Sequence, residues 1–358
     1  MKILYIVAHR LGRSPGQRFR FEQYLKYLEE SGFNYEISNF LNEKDDKIFY
    51  SKGKYFKKFI ILLKSIRQRL KDIKRANEFD IIFIYRDAIM IGSTYFEKQF
   101  SKSKARVIFD FDDAIWYPET SQGNSNLSFL KKPSKTGRII ELSDLVFAGN
   151  SYLADYALQY NKNVRIVPTT IDINYYIKKE RKKSDNKICI GWTGTSTTLK
   201  HYELIIPVLK RIKDKYGDKI YFKLISDQPL LTKELEIENT KWDKETEIED
   251  LSYIDIGIMP LPDDKWSKGK CGFKGLQYMA LEIPALMSAV GVNNEIIQDG
   301  INGFLAKNDE EWYNKLCLLL NSPELRKNIG LKGRQTIVEK YSCQALKEKY
   351  IEYFKELI

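Results

Sequence analysis

The sequence predicts an α/β fold built from two doubly wound, Rossmann-like domains. Short apolar runs alternate with helically spaced segments, the alternation restarts once, and a polar stretch separates the two series. At 358 residues the chain exceeds one ordinary core and is comfortable for two. Hydrophobic residues make up 43% of it, enough to fill both. No apolar run, Phe59–Leu63 included, comes near the length of a membrane span.

The first series opens with the apolar run Ile3–Ala8, followed by a Gly-bearing loop, His9–Gly16. Gln17–Glu30 then carries Phe21, Tyr24, Leu25 and Leu28 at helical spacing. Further strands are predicted at Asp80–Tyr85, Arg106–Phe111, Asp144–Ala148 and Val164–Val167. The second series restarts at Lys187–Trp192 and continues with a helix near Leu199–Tyr216. Its later strands are Ile220–Ile225, Asp255–Met259 and Ala285–Ser288, and from Glu324 onward the pattern is helical. Such alternation gives parallel sheets covered on both faces. The polar stretch Lys178–Asn186 reads as a linker or as a charged surface loop. The expected domains are therefore 1–180 and 187–340, with 341–358 a terminal helix packing back on the first. Two such domains leave a cleft facing the carboxyl ends of both sheets, where these folds bind ligands.

Charge is segregated. Lys47–Arg75 holds eleven basic residues and one acid, Asp72, so that segment supplies +10 of the chain's formal +11. Within it, Phe56, Phe59, Ile60, Leu63, Ile66, Leu70 and Ile73 follow a one-face helical pattern. Lys57, Lys58, Lys64 and Arg67 take other positions, the arrangement of a basic amphipathic helix on an anionic membrane surface. The alternative is an apolar face packed on the first sheet with its lysines solvated. Nucleic-acid binding is disfavoured because no DNA or RNA module accompanies the charge. The cysteines Cys189, Cys271, Cys317 and Cys343 are widely spaced, which argues against a metal site or a disulfide framework. Met1–Ala8 is too short for a signal peptide and reads as a buried strand, so a cytoplasmic protein is expected.

Three places carry candidate chemistry. The loop His9–Arg20 follows a strand and opens a helix; Gly12 and Gly16 do not form a dinucleotide fingerprint. Arg13, Arg18 and Arg20 surround that helix's start and suit an anionic substrate group, the alternative being a flexible basic loop. Asp110, Asp112 and Asp113 close an apolar strand. They read as a metal-holding D-x-D, as a haloacid-dehalogenase-like phosphatase nucleophile, or as an orienting or structural acid cluster. In the second series, Gly191, Trp192, Thr193, Gly194, Thr195 and Ser196 end a strand before a helix, offering amides and hydroxyls to phosphate or simply capping the helix.

The stretch Lys268–Pro284, with Gln277-Tyr-Met-Ala before Pro284, is followed by Val290–Ile297 and then Asp299–Leu305 (DGINGFL). In order and spacing these residues resemble the carboxyl-terminal signature of glycosyltransferase family 4, which has the two-Rossmann-domain GT-B fold. Val164–Asp172 and the tail Leu325–Tyr341 extend the resemblance over essentially the whole chain. Two departures stand out. The first family glutamate falls at Gly269 and the second is replaced by Gln277, while Glu282 occupies a usual glycine position.

The resemblance implies a metal-independent, retaining transfer of sugar from a nucleotide-diphosphate sugar to a cell-envelope, polysaccharide or lipid-linked acceptor. No cofactor is expected. Donor contacts would come from Gly191–Ser196, Lys270, Cys271, Phe273, Lys274, Gln277, Gly291, Val292, Asn293 and Asn294. Lys270 and Lys274 would neutralise the departing phosphate without metal, and the Gln277 amide would reach ribose hydroxyls. Acceptor contacts would come from Gly12, Arg13, Gly16, Gln17, Arg18, Arg20 and Arg86. His9, Asp110, Asp112 and Asp113 would orient the reacting sugars, although a lone His at a strand end is more often a structural residue. Loss of the two glutamates keeps open a non-catalytic nucleotide-sugar-binding relative.

Overall fold

A computed structural model describes residues 1–118, 126–127, 130, 132–180 and 186–358. The chain divides into two units, Met1–Thr169 with Lys347–Ile358, and Thr170–Leu346. Of the predicted linker Lys178–Asn186, residues 181–185 lie outside the described ones. The boundary falls upstream of residue 180 because Ile171–Tyr176 is tied into the second unit. The Ile171 amide donates to Tyr341 O at 2.8 Å, Cys343 N to Ile171 O at 3.0 Å, and Arg334 to Tyr176 O at 2.7 Å.

The first unit holds β1 (Lys2–His9), β2 (Asn34–Leu41), β3 (Ile81–Tyr85), β4 (Arg106–Phe111), β5 (Leu145–Ala148) and β6 (Val164–Ile166). They form one parallel sheet in the order β2-β1-β3-β4-β5-β6. Every residue of β3 is buried, as expected of an inner strand covered on both faces. The connections from β1 and β3 run to opposite sides, so the carboxyl ends of these two strands flank the topological switch point. The terminal segment Lys347–Ile358 belongs to this unit through its aromatic face. Tyr350 stacks on Tyr24 with centroids 4.0 Å apart, and Phe354 stacks on Phe83 at 6.1 Å.

The second unit holds β7 (Ile188–Thr193), β8 (Ile220–Ser226), β9 (Glu238–Lys241), β10 (Ile256–Met259), β11 (Ala285–Ser288) and β12 (Phe304–Ala306). Its parallel order is β12-β11-β10-β7-β8-β9. Ile190, Trp192, Leu209, Leu224, Ile256, Leu286 and Trp312 share its core.

The strands absent from the sequence reading, β2, β9 and β12, all lie at sheet edges. Edge strands are less covered than inner ones and lose the continuous apolar run; β9 reads Glu-Asn-Thr-Lys. The expected helix over Gln17–Glu30 is broken into Pro15–Arg20, a 3-10 turn at Glu22–Tyr24, and Leu25–Glu30. That over Leu199–Tyr216 is split into Leu199–Glu203 and Ile206–Tyr216, with Pro207 in the first turn of the second piece.

The basic segment does form one helix, Tyr55–Arg75, but its apolar face is not the one packed on the first sheet. Lys58, Ile61, Ser65, Arg69 and Asp72 face inward. Arg69 is wholly buried and donates to the carbonyl oxygens of Val7 (2.7 Å), Ser38 (3.0 Å) and Ala88 (2.7 Å), and to Asp72 (2.8 Å). A guanidinium serves several acceptors at once, so the polar face is the one the sheet edge holds. Phe56, Phe59, Leu63 and Leu70 are consequently exposed, by 76%, 54%, 49% and 42%. Two of the four expected membrane cations change role. Lys58 is buried, and Lys64 pairs with Asp45 at 3.2 Å. Among the described residues no helix is long and apolar enough to cross a membrane.

Candidate active site

Each unit gathers polar side chains at the carboxyl ends of its own strands. In the first, the end of β1 is fixed by Gln17, whose buried amide bonds both the N–H and the carbonyl of His9 at 3.0 Å. The His9 ring lies between Tyr50 and Asp46, with Nε2 3.1 Å from the Tyr50 hydroxyl and Nδ1 3.4 Å from the Asp46 carboxylate. Asp46 also receives Arg13 at 2.5 Å and lies 3.7 Å from Arg10. Burial pushes the Asp46 pKa up, but hydrogen bonds from His9 and Arg13 outweigh it and bring it down to about 2. One ionised carboxylate therefore fixes an imidazole and two arginines. Gly12 holds the loop by donating its amide to Glu22 at 2.7 Å.

Beyond β3, Arg86 has a backbone φ of 64°, in the left-handed region that costs an arginine strain. Its guanidinium bonds Asp112 at 2.8 Å and Asp113 at 2.6 Å, and the Tyr85 hydroxyl bonds Asp112 at 2.8 Å. Gly16 lets the helix Pro15–Arg20 approach this group, since a Cβ there would stand 2.1 Å from the Tyr85 hydroxyl. Arg18 remains half-buried on the same helix, over the Phe19 ring.

The acid cluster is split by the structure. Asp110 lies within β4 at 1% exposure and pairs bidentately with Arg20, which is equally enclosed and also donates to Val167 O. Asp110 and Arg20 thus form an interior ion pair rather than an acceptor contact, and Gln17 is likewise interior. Asp112 and Asp113 lie past the strand end and stay part-exposed with Arg86. The end of β4 at Phe111 separates residues that adjacency in sequence had grouped: Asp110 is enclosed within the strand, and the other two lie beyond it.

In the second unit, Gly191, Trp192 and Thr193 are buried within β7, and the Thr193 amide donates to the Tyr278 hydroxyl at 3.0 Å. Gly194, Thr195 and Ser196 form the lip, yet their amides are already engaged. Gly194 N donates to Ile225 O (3.0 Å), Thr195 N to the Thr198 hydroxyl (3.2 Å) and Ser196 N to Asp227 (2.6 Å). The amide cradle expected for phosphate is closed, with a carboxylate at its mouth.

Cations gather instead around the helix Phe273–Ala280. Gly272 begins it in the left-handed region, φ 68°, where a Cβ would meet Ile296 at 2.3 Å. Lys270 Nζ lies 4.8 Å from the Trp266 ring centroid, and Lys274 Nζ 5.3 Å from that of Trp192. Cys271 and Phe273 are half-buried at the same turn. His201, on Leu199–Glu203, is 4% exposed, and its Nδ1 has no hydrogen-bond partner among the described residues. Burial first, then Lys274, Lys270 and Lys200, push its pKa down to about 4.

Gln277 is buried and faces inward. Its amide donates to the Tyr176 hydroxyl at 2.8 Å and to Glu247 at 3.4 Å, in place of the ribose contact expected of it. Tyr176 and Trp242 each donate to Glu247 at 3.1 Å. Asn293 is also interior, bonded to Ser288 O at 2.9 Å beside buried Val292, while Gly291 and Asn294 reach the surface. Among the described residues no group of His, Cys, Asp and Glu is placed to hold a metal ion.

Residues 187–322, all in the second unit, match the family of glycosyl transferases group 1. A glycosyltransferase from Rickettsia africae ESF-5 superposes with a TM-score of 0.70 at 16% identity, covering 99% of this chain and 98% of that one. Anabaena HepE, solved in complex with UDP-glucose, superposes with a TM-score of 0.67 at 12% identity, covering 99% and 100%. These likenesses establish the GT-B fold. The N-acetyl-alpha-D-glucosaminyl L-malate synthase of Bacillus anthracis is 21% identical over 320 residues, 82% of this chain and 79% of that one. The second unit is a group 1 glycosyl transferase domain, and the chain is a glycosyltransferase.

Several residues of this glycosyltransferase's candidate site escaped the sequence reading. Asp46 and Tyr50 follow β2, and the missed edge strand hid them. Asp227 follows β8 directly, so the strand-end rule applied to Asp110–Asp113 was enough to find it. Glu247 and Tyr176 are far apart in sequence and meet Gln277 only through packing. His201, the second of two histidines, carried no motif.

Proposed function

We propose that this glycosyltransferase moves a sugar from a nucleotide-diphosphate sugar, with a UDP-sugar as the first candidate, to a cell-envelope, polysaccharide or lipid-linked acceptor. The reading is metal-independent and retaining, with the protein peripheral on the inner membrane face. The observation that carries it is the cationic group of Lys270 and Lys274 beside buried His201, where a departing diphosphate finds preorganised positive charge. Metal independence is supported by Asp110 and Asp112, whose charges are held by Arg20 and Arg86. The donor class is supported by the UDP-glucose complex of Anabaena HepE. Arg10 and Arg13 suit an acceptor carrying an anionic group, in keeping with the malate in the name of the Bacillus anthracis relative.

The test is thermal unfolding with UDP-, GDP-, dTDP- and CMP-sugars, with and without EDTA. One donor raises the melting temperature equally in both conditions, as mass action requires of a ligand bound by the folded state. In Lys274→Ala its affinity falls about tenfold, the effect of losing one charge-assisted contact of about 1.4 kcal/mol. Wild-type affinity in that variant, or stabilisation abolished by EDTA, overturns the reading.

A further inference from the structure

The outward face of the helix Tyr55–Arg75 is assigned no role by the transfer reaction. Phe56, Leu63 and Leu70 recur every seven residues on one line of that face, flanked by Phe59 and Ile60. All five are exposed, Phe56 most of all. Contiguous exposed apolar surface on a soluble body marks a contact with something else. The surrounding charge is of one sign. Lys52, Lys54 and Lys57 are exposed at the amino-terminal end of the stripe, and Arg67, Lys71 and Lys74 along its continuation. The only acid from Lys52 to Arg75 is Asp72, which is buried and bonded to Arg69, Ser38 and Gln68.

We infer that this face inserts Phe56, Phe59, Ile60 and Leu63 into the headgroup–acyl boundary of an anionic bilayer, with Lys57, Arg67, Lys71 and Lys74 at headgroup level. The inference rests on the peripheral-membrane reading above and deepens it by moving the contact from charge alone to apolar insertion. An interfacial helix buries its apolar face about 5–10 Å deep, and cations near the surface each add about 1 kcal/mol. The same charges argue against a second copy as the occupant, because a two-fold contact through this face would juxtapose two cationic sets with no acid between them. The inward polar network explains how the stripe stays outward: Arg69 and Asp72 hold the opposite face of the helix against β1 and β2.

The experiment is co-sedimentation of the full chain with vesicles of phosphatidylglycerol and phosphatidylethanolamine, and with pure phosphatidylcholine. It compares wild type, the combined Phe56→Ser, Phe59→Ser, Leu63→Ser variant, and Lys57→Glu with Arg67→Glu. The expected result is binding of wild type to the anionic vesicles, at least tenfold weaker in the serine variant, with donor-induced thermal stabilisation unchanged. The charge reversal weakens binding too and removes its salt dependence. Equal binding by wild type and the serine variant overturns insertion while leaving the peripheral reading in place. No binding by wild type overturns both, and a wild-type dimer abolished by the serine substitutions, without vesicle binding, assigns the face to a second copy instead.

Discussion

The Gln277 amide lies 2.8 Å from the Tyr176 hydroxyl, and both are bonded to the one buried carboxylate of Glu247. This explains the departure from the family glutamate at position 277. A glutamate there would face Glu247 inside the protein, whereas an amide can donate to it. Gln277→Glu is therefore expected to lower stability at pH 7 by about 3 kcal/mol, the scale of an unpaired buried charge. Urea unfolding at pH 7 and pH 5 checks this, because protonating one carboxylate recovers part of the loss. A variant as stable as wild type at pH 7 contradicts the account.

Arg20 and Asp110 form an enclosed pair, and removing one partner strands the other's charge. Asp110→Ala is expected to cost about 3–5 kcal/mol of stability, as for other broken buried pairs. Donor affinity measured below the melting transition should hardly change. An unaltered melting temperature with lost activity would return Asp110 to the reacting groups.

His201 makes stability depend on pH in a definite direction. Its pKa of about 4 lies below the ordinary imidazole value of 6.5, so between these values the unfolded chain binds more protons than the folded one. The contribution is complete above pH 6.5 and is lost as pH falls towards 4, amounting to at most about 3 kcal/mol. Comparing His201→Gln with wild type at pH 7.5 and pH 4.5 isolates it, since the carboxylates titrate in both. Parallel losses in the two proteins would show that His201 contributes nothing.

Gly16→Ala places a methyl group against the Tyr85 hydroxyl and loosens its bond to Asp112. A higher acceptor KM with unchanged donor affinity is expected, read from initial rates once an acceptor is known. A donor-affinity loss of similar size would place Gly16 outside the acceptor half.

The inner strands were legible because strands buried on both faces must be continuously apolar: Ile81–Tyr85 and Ile188–Thr193 are plain in the sequence. The edges β2, β9 and β12 were not, and the unread β2 concealed Asp45 and Asp46. Lys270, Lys274 and Arg86 were named from the sequence because cations beside strand ends and glycine turns carry a local signal, and all three are part-exposed. Which of the other named residues are enclosed was not legible, since burial is a property of the packed chain.

Composition, periodicity and motif order by themselves determined two doubly wound domains, a glycosyltransferase-like carboxyl-terminal half and one strongly basic helix. Those features are written in nearest-neighbour pattern and in spacing along the chain. Tertiary structure alone decided that Asp110 pairs with Arg20, that Gln277 faces Glu247, and that the basic helix turns its apolar side outward. The reason is the same each time: a buried polar group requires a partner, and that partner comes from another part of the chain.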